Sequence, residues 1–235
     1  IYQDTQTIQA TIRDLEIYAM SSYDTAVTLP SNGMPGRQDQ FLEFHCNNPK
    51  KLVIHATGKI VYNNQTIDSY KLYKGDYARF NVTDDLKYIV ARHIKAGQVC
   101  KVSRSSTQSI PNNSWTTVAF NSVDIDTCGM YDSPSNRIYI RRSGSYLITY
   151  STSSGNYVST AQPWQAMVTV NGQGVSIARA YSPGNNYYVT ANNSTVLNLN
   201  EGDYIQMAIY QGTGISRDTP TDTFERPQLS VTEIP

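Results

Sequence analysis

Three histidines, two acidic pairs and two uncharged aromatic segments are the residues of this 235-residue chain whose types and spacing could support chemistry. His45 and His55 flank the turn at Asn47–Lys50 on what read as neighbouring strands, close enough to share a metal. No third ligand follows at metal-site spacing, so ordinary strand histidines are expected. Asp84-Asp85 and Asp124/Asp126 have the chemistry of glycosidase carboxylates or calcium ligands. Asp84-Asp85 falls at a predicted turn, however, where aspartate serves the backbone. No nucleophile elbow, phosphate loop or Cys-His arrangement occurs. The expectation is therefore no catalytic residue, no metal, no cofactor and no enzymatic activity.

What remains is adhesive. Segments 156–164 (NYVSTAQPW) and 181–193 (YSPGNNYYVTANN) combine Tyr, Trp and Asn without charge. Such side chains stack on sugar rings, hydrogen-bond hydroxyls and serve protein recognition at low entropic cost. Trp164, Tyr181, Asn185, Asn186, Tyr187 and Tyr188 are the expected ligand-binding residues; the alternative is loop tyrosines packed on their own domain.

The elements that must position these residues are mostly strands. Charged residues make up 16%, against roughly 25% in ordinary globular proteins, and Lys+Arg and Asp+Glu balance at 19 each. A neutral surface gathers neither nucleic acid nor anionic membrane, and no apolar run is long enough to span a bilayer. Cys46, Cys100 and Cys128 are odd in number and far apart, which suggests buried free thiols in a protein assembled inside a cell. A chain that begins at Ile1 reads as a fragment or processed product.

Residues 1–20 place Ile1, Thr5, Ile8, Ile12, Leu15 and Ala19 at spacings of 4, 3, 4, 3 and 4, the seam of a heptad repeat. A coiled-coil stalk is expected there, with Ile8, Ile12 and Leu15 at the seam of three strands; a helix packed on its own domain is the alternative. Residues 21–40, with Pro30, Gly33, Pro35 and Gly36, read as a linker. Residues 41–106 carry six short predicted strands, a small β-sandwich or barrel, and residues 107–235 carry about eight more. Asn171-Gly172 is a strong two-residue hairpin signal. In 195–211 (TVLNLNEGDYIQMAIYQ), Leu197, Leu199, Ile205, Met207 and Ile209 form one face of a hairpin. The opposite face, Tyr204, Gln206, Ala208 and Tyr210, is uncharged and aromatic, as suits a surface covered by another subunit.

Phe120, Asp126, Tyr131, Gly144, Tyr146 and Tyr150 stand at the spacings of a signature, with Ile138 and Ile148 at two positions usually held by Phe. In these residues, and in the Val-Leu-x-Leu-x-x-Gly-Asp hairpin, residues 110–235 resemble the complement C1q/tumour-necrosis-factor-like jelly-roll family. The resemblance implies a two-sheet jelly roll assembled as a homotrimer. It also implies that the strand after Gly-Asp lies near the three-fold axis, making Tyr204, Gln206 and Tyr210 interface residues. Many relatives carry a collagen stalk, and this chain has no Gly-X-Y repeat. A helical stalk, free cysteines and a Ser/Thr/Asn/Tyr-rich composition look more like a bacteriophage fibre. The expected function is thus a trimeric tail or head fibre, joined to the virion through its N-terminal stalk. It would bind a host-surface glycan or protein receptor, with no nucleic acid and no membrane insertion. The alternatives are a secreted trimeric ligand, or a trimerisation cap with binding in the middle domain.

Overall fold

The computed structural model describes residues 6–7, 15–19, 25–29, 41–46, 51–83, 87–154, 162–182 and 188–234. The chain divides into two compact units, Ile1–Ala96 and Gly97–Pro235. Among the described residues there is no helix, hence none long and apolar enough to cross a membrane.

The expected N-terminal coiled coil is overturned. The described residues of that stretch are the strands Gln6–Thr7 and Leu15–Ala19, the latter paired in parallel with Phe41–Cys46 so that Leu15 stands opposite Leu42. The heptad count took in Leu15 and Ala19 and passed over Ile17 and Tyr18. The run Leu-Glu-Ile-Tyr-Ala alternates with the period of a strand, and β-branched and aromatic residues favour the pleated surface. Leu15 is therefore on a strand and not on a helical seam; Ile8 and Ile12 lie outside the described residues. Within the expected linker, Thr25–Thr28 is a strand paired with Lys51–Tyr62.

The first unit is an eight-stranded sheet among the described residues. Its order is Gln6–Thr7, Thr25–Thr28, Lys51–Tyr62, Tyr88–Ile94, Tyr77–Val82, Phe41–Cys46 and Leu15–Ala19, with Gln65–Tyr73 also paired to Lys51–Tyr62. Alternation produces it: Leu42, Phe44 and Cys46 of FLEFHC are buried, and so are Leu52 and Ile54 of the next strand. Phe44 and Phe80 meet edge to face at 5.4 Å, and Tyr70 adds its ring to Phe80 at 5.5 Å. Asn63 and Asn64, both at positive φ (50° and 61°), close the hairpin from Lys51–Tyr62 to Gln65–Tyr73. Gly58, at φ 63°, sits inside one long strand where the register shifts, a bulge between His55 and Ile60.

The second unit is a sandwich of two sheets. One runs Ser122–Asp126, Val99–Ser103, Gln228–Ile234, Gly144–Ser153, Thr190–Leu199; the other runs Tyr131–Asp132, Arg137–Tyr139, Tyr204–Gln211, Pro163–Val170, Gln173–Tyr181, with Thr116–Thr117 added to Tyr204–Gln211. Val102, Tyr146, Ile148 and Val231 of the first sheet share one core with Ile138, Trp164, Val168, Ile205, Met207 and Ile209 of the second. Val99–Ser103, expected in the middle domain, is an inner strand of this sandwich, so the unit begins at Gly97 rather than at residue 107. Alternation fixes which face of a strand is buried, but it does not say which sheet the strand joins.

Two turns share one device. In 73–76 the carboxylate of Asp76 accepts the amide of Tyr73 (3.0 Å), and in 200–203 that of Asp203 accepts the amide of Asn200 (2.8 Å). Gly75 and Gly202 precede them at φ 84° and 94°, which a side chain resists. The Asn171-Gly172 hairpin forms as read, and Asn171 bonds Asp203 Oδ1 (2.8 Å) and the amide of Tyr204 (3.0 Å), tying the two turns of that end together.

Candidate functional site

Tyr204, Gln206 and Tyr210 do share the outward face of their strand, but each is engaged within its own chain. The guanidinium of Arg137 lies 4.0 Å over the Tyr204 ring, and Gln206 donates to the carbonyl of Ser135 (3.1 Å). Tyr210 donates to Asn113 Oδ1 (3.0 Å), and its ring packs at 5.4 Å against Trp115, a residue that the sequence reading passed over.

The opposite sheet turns a different face outward. Leu147 stands across from Val196, and Ser145 from Ile234. Leu147, Val196 and Ile234 are exposed, forming an apolar half-face. The other half is polar: a groove of about 620 Å³ lined by Lys101, Thr149, Ser151, Asn192, Gln228 and Ser230.

The expected adhesive residues separate. Trp164 is 0% exposed, in the core between the sheets, and takes no part in a surface site. It follows Pro163 at the start of a strand, in register with Gln211 and Ala180, so alternation turns it inward. Tyr181 and Tyr188 are 63% and 46% exposed, whereas Asn185, Asn186 and Tyr187 lie outside the described residues. Both exposed tyrosines are at one end of the sandwich. Val99 pairs with Thr232, which puts the first strand's start and the last strand's end together. Ser103 and Ser151 both pair with Gln228, Ser153 with Thr190, and Pro163 with Tyr181 at the far, distal end. Trp115, Ile215 and Phe224 are exposed at that same end, and Phe224 was also missed by the sequence reading.

The groups considered for catalysis are occupied. Asp126 accepts the amides of Cys128 (3.2 Å) and Met130 (2.8 Å) on one oxygen and that of Tyr131 (3.0 Å) on the other. Asp124 faces Ser103 (3.1 Å), Arg226 (3.5 Å) and Lys101 (3.9 Å). Asp84 and Asp85 lie outside the described residues. His45 and His55 are not on neighbouring strands, because Tyr88–Ile94 and Tyr77–Val82 run between theirs. His45 stacks on Tyr77 instead (4.9 Å). Among the described residues no three His, Cys, Asp or Glu side chains gather as a metal site requires. His93 contacts Asp76 (3.3 Å) and Tyr70 (2.7 Å).

The signature residues act as struts. Tyr131 donates to the carbonyl of Phe120 (2.7 Å) and Tyr146 to that of Arg142 (2.7 Å), where Arg142 pairs with Glu233 (3.2 Å). Burial pushes both hydroxyls above their ordinary pKa. Cys100 and Cys128 are buried and form no disulfide, as is the case for Cys46 in the first unit, and burial raises the Cys100 thiol.

No curated protein matches the chain. Among solved structures, the globular domain of zebrafish complement 1qA is similar at 16% identity over 60% of this chain and 98% of that one, TM-score 0.45. Murine APRIL at pH 5.0 matches at 13% identity over 59% and 100%, TM-score 0.46. Eiger TNF from S. frugiperda matches at 9% over 60% and 94%, TM-score 0.47. The family model of the C1q domain matches residues 100–224, more than half of the chain and all but the last strand of the sandwich. Held by Asp126, Tyr131 and Tyr146 at the signature spacing, this sandwich makes the chain a member of the C1q domain family.

Proposed function

We propose that the protein is a homotrimeric attachment protein, the distal part of a bacteriophage tail or head fibre. In this reading it binds a glycan or protein on the host cell surface, catalyses nothing and joins the virion through the N-terminal side of the chain. The observation that carries the trimer is the apolar half-face of Leu147, Val196 and Ile234 on the five-stranded sheet. A contiguous apolar patch on a sheet marks an interaction surface, and a closed three-fold ring uses every copy of it. The interface accordingly moves from the face of Tyr204, Gln206 and Tyr210, whose groups already have partners, to the opposite sheet. The virion setting is supported by three buried reduced cysteines and by the charge-poor, Tyr-rich composition. Three-fold display multiplies weak contacts, as attachment to a repetitive surface needs.

Sedimentation of the full chain tests the assembly, with a monomer at micromolar concentration as the result that sinks it. Adsorption of labelled protein to bacterial cells tests the role. A chain that adsorbs to no strain but binds a soluble animal receptor replaces the fibre with a secreted trimeric ligand.

A further inference from the structure

On the sheet of Tyr204–Gln211, the alternation that sends Ile209, Trp164 and Ala178 into the core sends Tyr210, Gln165 and Arg179 outward. Register sets these three in one row, Tyr210 opposite Gln165 and Gln165 opposite Arg179. Trp115, just before Thr116–Thr117, extends the row on one side, its ring 5.4 Å from that of Tyr210 and tilted by 43°. Tyr181 stands exposed two residues beyond Arg179 on the same face, opposite Pro163. The row crosses three interstrand spacings, about 14 Å, and has aromatic rings at both flanks.

The Trp115 side is ordered before any ligand arrives. Asn113, at φ 56°, accepts the Tyr210 hydroxyl (3.0 Å) and donates its amide to the carbonyl of Gln211 (2.8 Å), while Asn112 Oδ1 accepts the amide of Gly214 (2.8 Å). Trp115 nonetheless stays 39% exposed. The polar groups between the flanks are uncommitted: among the described residues neither the Gln165 carboxamide nor the Arg179 guanidinium has a hydrogen-bond or ion-pair partner. The strands Arg137–Tyr139, Tyr204–Gln211, Pro163–Val170 and Gln173–Tyr181 contain two arginines and no Asp or Glu. Arg137 lies over Tyr204 and bonds the Tyr139 hydroxyl (3.4 Å), whereas Arg179 has no counter-charge.

We propose that the row Trp115, Tyr210, Gln165, Arg179, with Tyr181 beside it, binds an acidic glycan whose sugar rings carry uronic-acid carboxylates. The inference rests on the attachment reading above and gives it a ligand class. Each group matches a part of such a sugar. The apolar C–H face of a pyranose stacks on a half-exposed aromatic ring. Vicinal hydroxyls take both a donor and an acceptor from one carboxamide, which Gln165 supplies. A guanidinium forks onto a carboxylate through two parallel N–H···O bonds, and Arg179 supplies that charge on strands without a carboxylate of their own. The row lies on the sheet opposite the apolar half-face of Leu147, Val196 and Ile234, so a trimer closed by that half-face presents the row outward on each copy.

The test uses the full chain and the surface polysaccharide purified from a bacterial strain that adsorbs it, in native form and after reduction of its carboxyl groups to alcohols. Affinity is measured for the wild type, Arg179→Gln and Trp115→Ala, with circular dichroism as the check on folding. Arg179→Gln changes an exposed side chain without a partner, so its effect is separable from stability. The expected polysaccharide contains uronic acid and binds the wild type. Carboxyl reduction and Arg179→Gln should each lower affinity at least about tenfold, with little further loss when the two are combined. Trp115→Ala should weaken the native and the reduced forms by the same factor, because the ring does not meet the carboxylate. The proposal is overturned by a polysaccharide without acidic sugars, by equal binding of the reduced form, or by wild-type affinity in either variant. Adsorption to cells that is lost to proteinase K and kept after periodate also overturns it, in favour of a protein partner. If the wild-type chain adsorbs to no strain, the attachment reading falls and this one with it; if it adsorbs and the variants bind as the wild type does, attachment stands without this site.

Discussion

His93 Nε2 lies 3.3 Å from Asp76 Oδ2 in the first unit, with its other ring nitrogen 2.7 Å from the Tyr70 hydroxyl. The Asp76 carboxylate is buried and also accepts the amides of Tyr73 (3.0 Å) and Ala96 (2.8 Å). It fastens a turn, a strand and the unit's last residue with one group. Asp76→Ala strips these donors of their acceptor, and the first unit should lose on the order of 3 kcal/mol. Urea unfolding followed separately for each unit checks this; equal losses in both units would refute it.

Asp126 is the corresponding strut of the C1q unit. Asp126→Ala leaves the amides of Cys128, Met130 and Tyr131 without their acceptor, at a cost of about 2–3 kcal/mol. Asp126→Asn should recover part of that, since its single oxygen can still serve Cys128 and Met130 while its NH₂ group faces the Tyr131 donor. The order wild type, Asn, Ala in denaturant midpoint is the expected outcome.

Oligomer state should discriminate between the two outward faces. Leu147→Asp puts a charge into the apolar half-face and is expected to convert the proposed trimer to monomers in sedimentation at micromolar concentration. Tyr204→Asp and Tyr210→Asp should leave the trimer assembled, because those rings are covered by Arg137 and Trp115 of their own chain. The reverse pattern would return the interface to the tyrosine face.

Alkaline pH should destabilise the protein in a definable window. Burial pushes Tyr88 up to about 12 from 10.0, and Tyr146 is raised by burial and by the nearby Glu233. Below pH 10 both states hold these protons and the two tyrosines change nothing. As pH rises from 10 towards 12 the unfolded chain ionises Tyr88 while the folded one does not, so stability falls across that range. Denaturant midpoints at pH 9, 10 and 11 should therefore decline most steeply between the last two, with the buried Cys100 thiol adding to the earlier step, and Tyr88→Phe should flatten the steep part.

The jelly roll was legible because its cues are local and mutually consistent. Leu199, Ile205, Met207 and Ile209 are buried as their alternation requires, and Asn171-Gly172 turns where its φ preferences put it. The N-terminal strand was misread because a seam of Ile1, Thr5, Ile8, Ile12, Leu15 and Ala19 fits a helix in a stretch that also carries, off the seam, strand-forming Ile17 and Tyr18. The adhesive residues were only half legible. Trp164 lies on the inward phase of its strand, and an aromatic in a polar segment reads the same whether it points in or out. Phe224 was invisible for the opposite reason: a single ring among Thr, Asp, Glu and Arg has no period, and only the fold shows that it is exposed.

The three buried thiols make the molecule its own unfolding reporter. Cys46 belongs to the first unit, and Cys100 and Cys128 to the second. A thiol-blocking reagent reaches each only when its surroundings open, so the alkylation rate at each position measures how often that unit breathes. Peptide mapping after timed alkylation would then yield two opening free energies from one sample, without a tag or a denaturant. Because none of the three is tied in a disulfide, the reagent meets a sulfhydryl each time, and its rate relative to that of the unfolded chain gives the opening equilibrium.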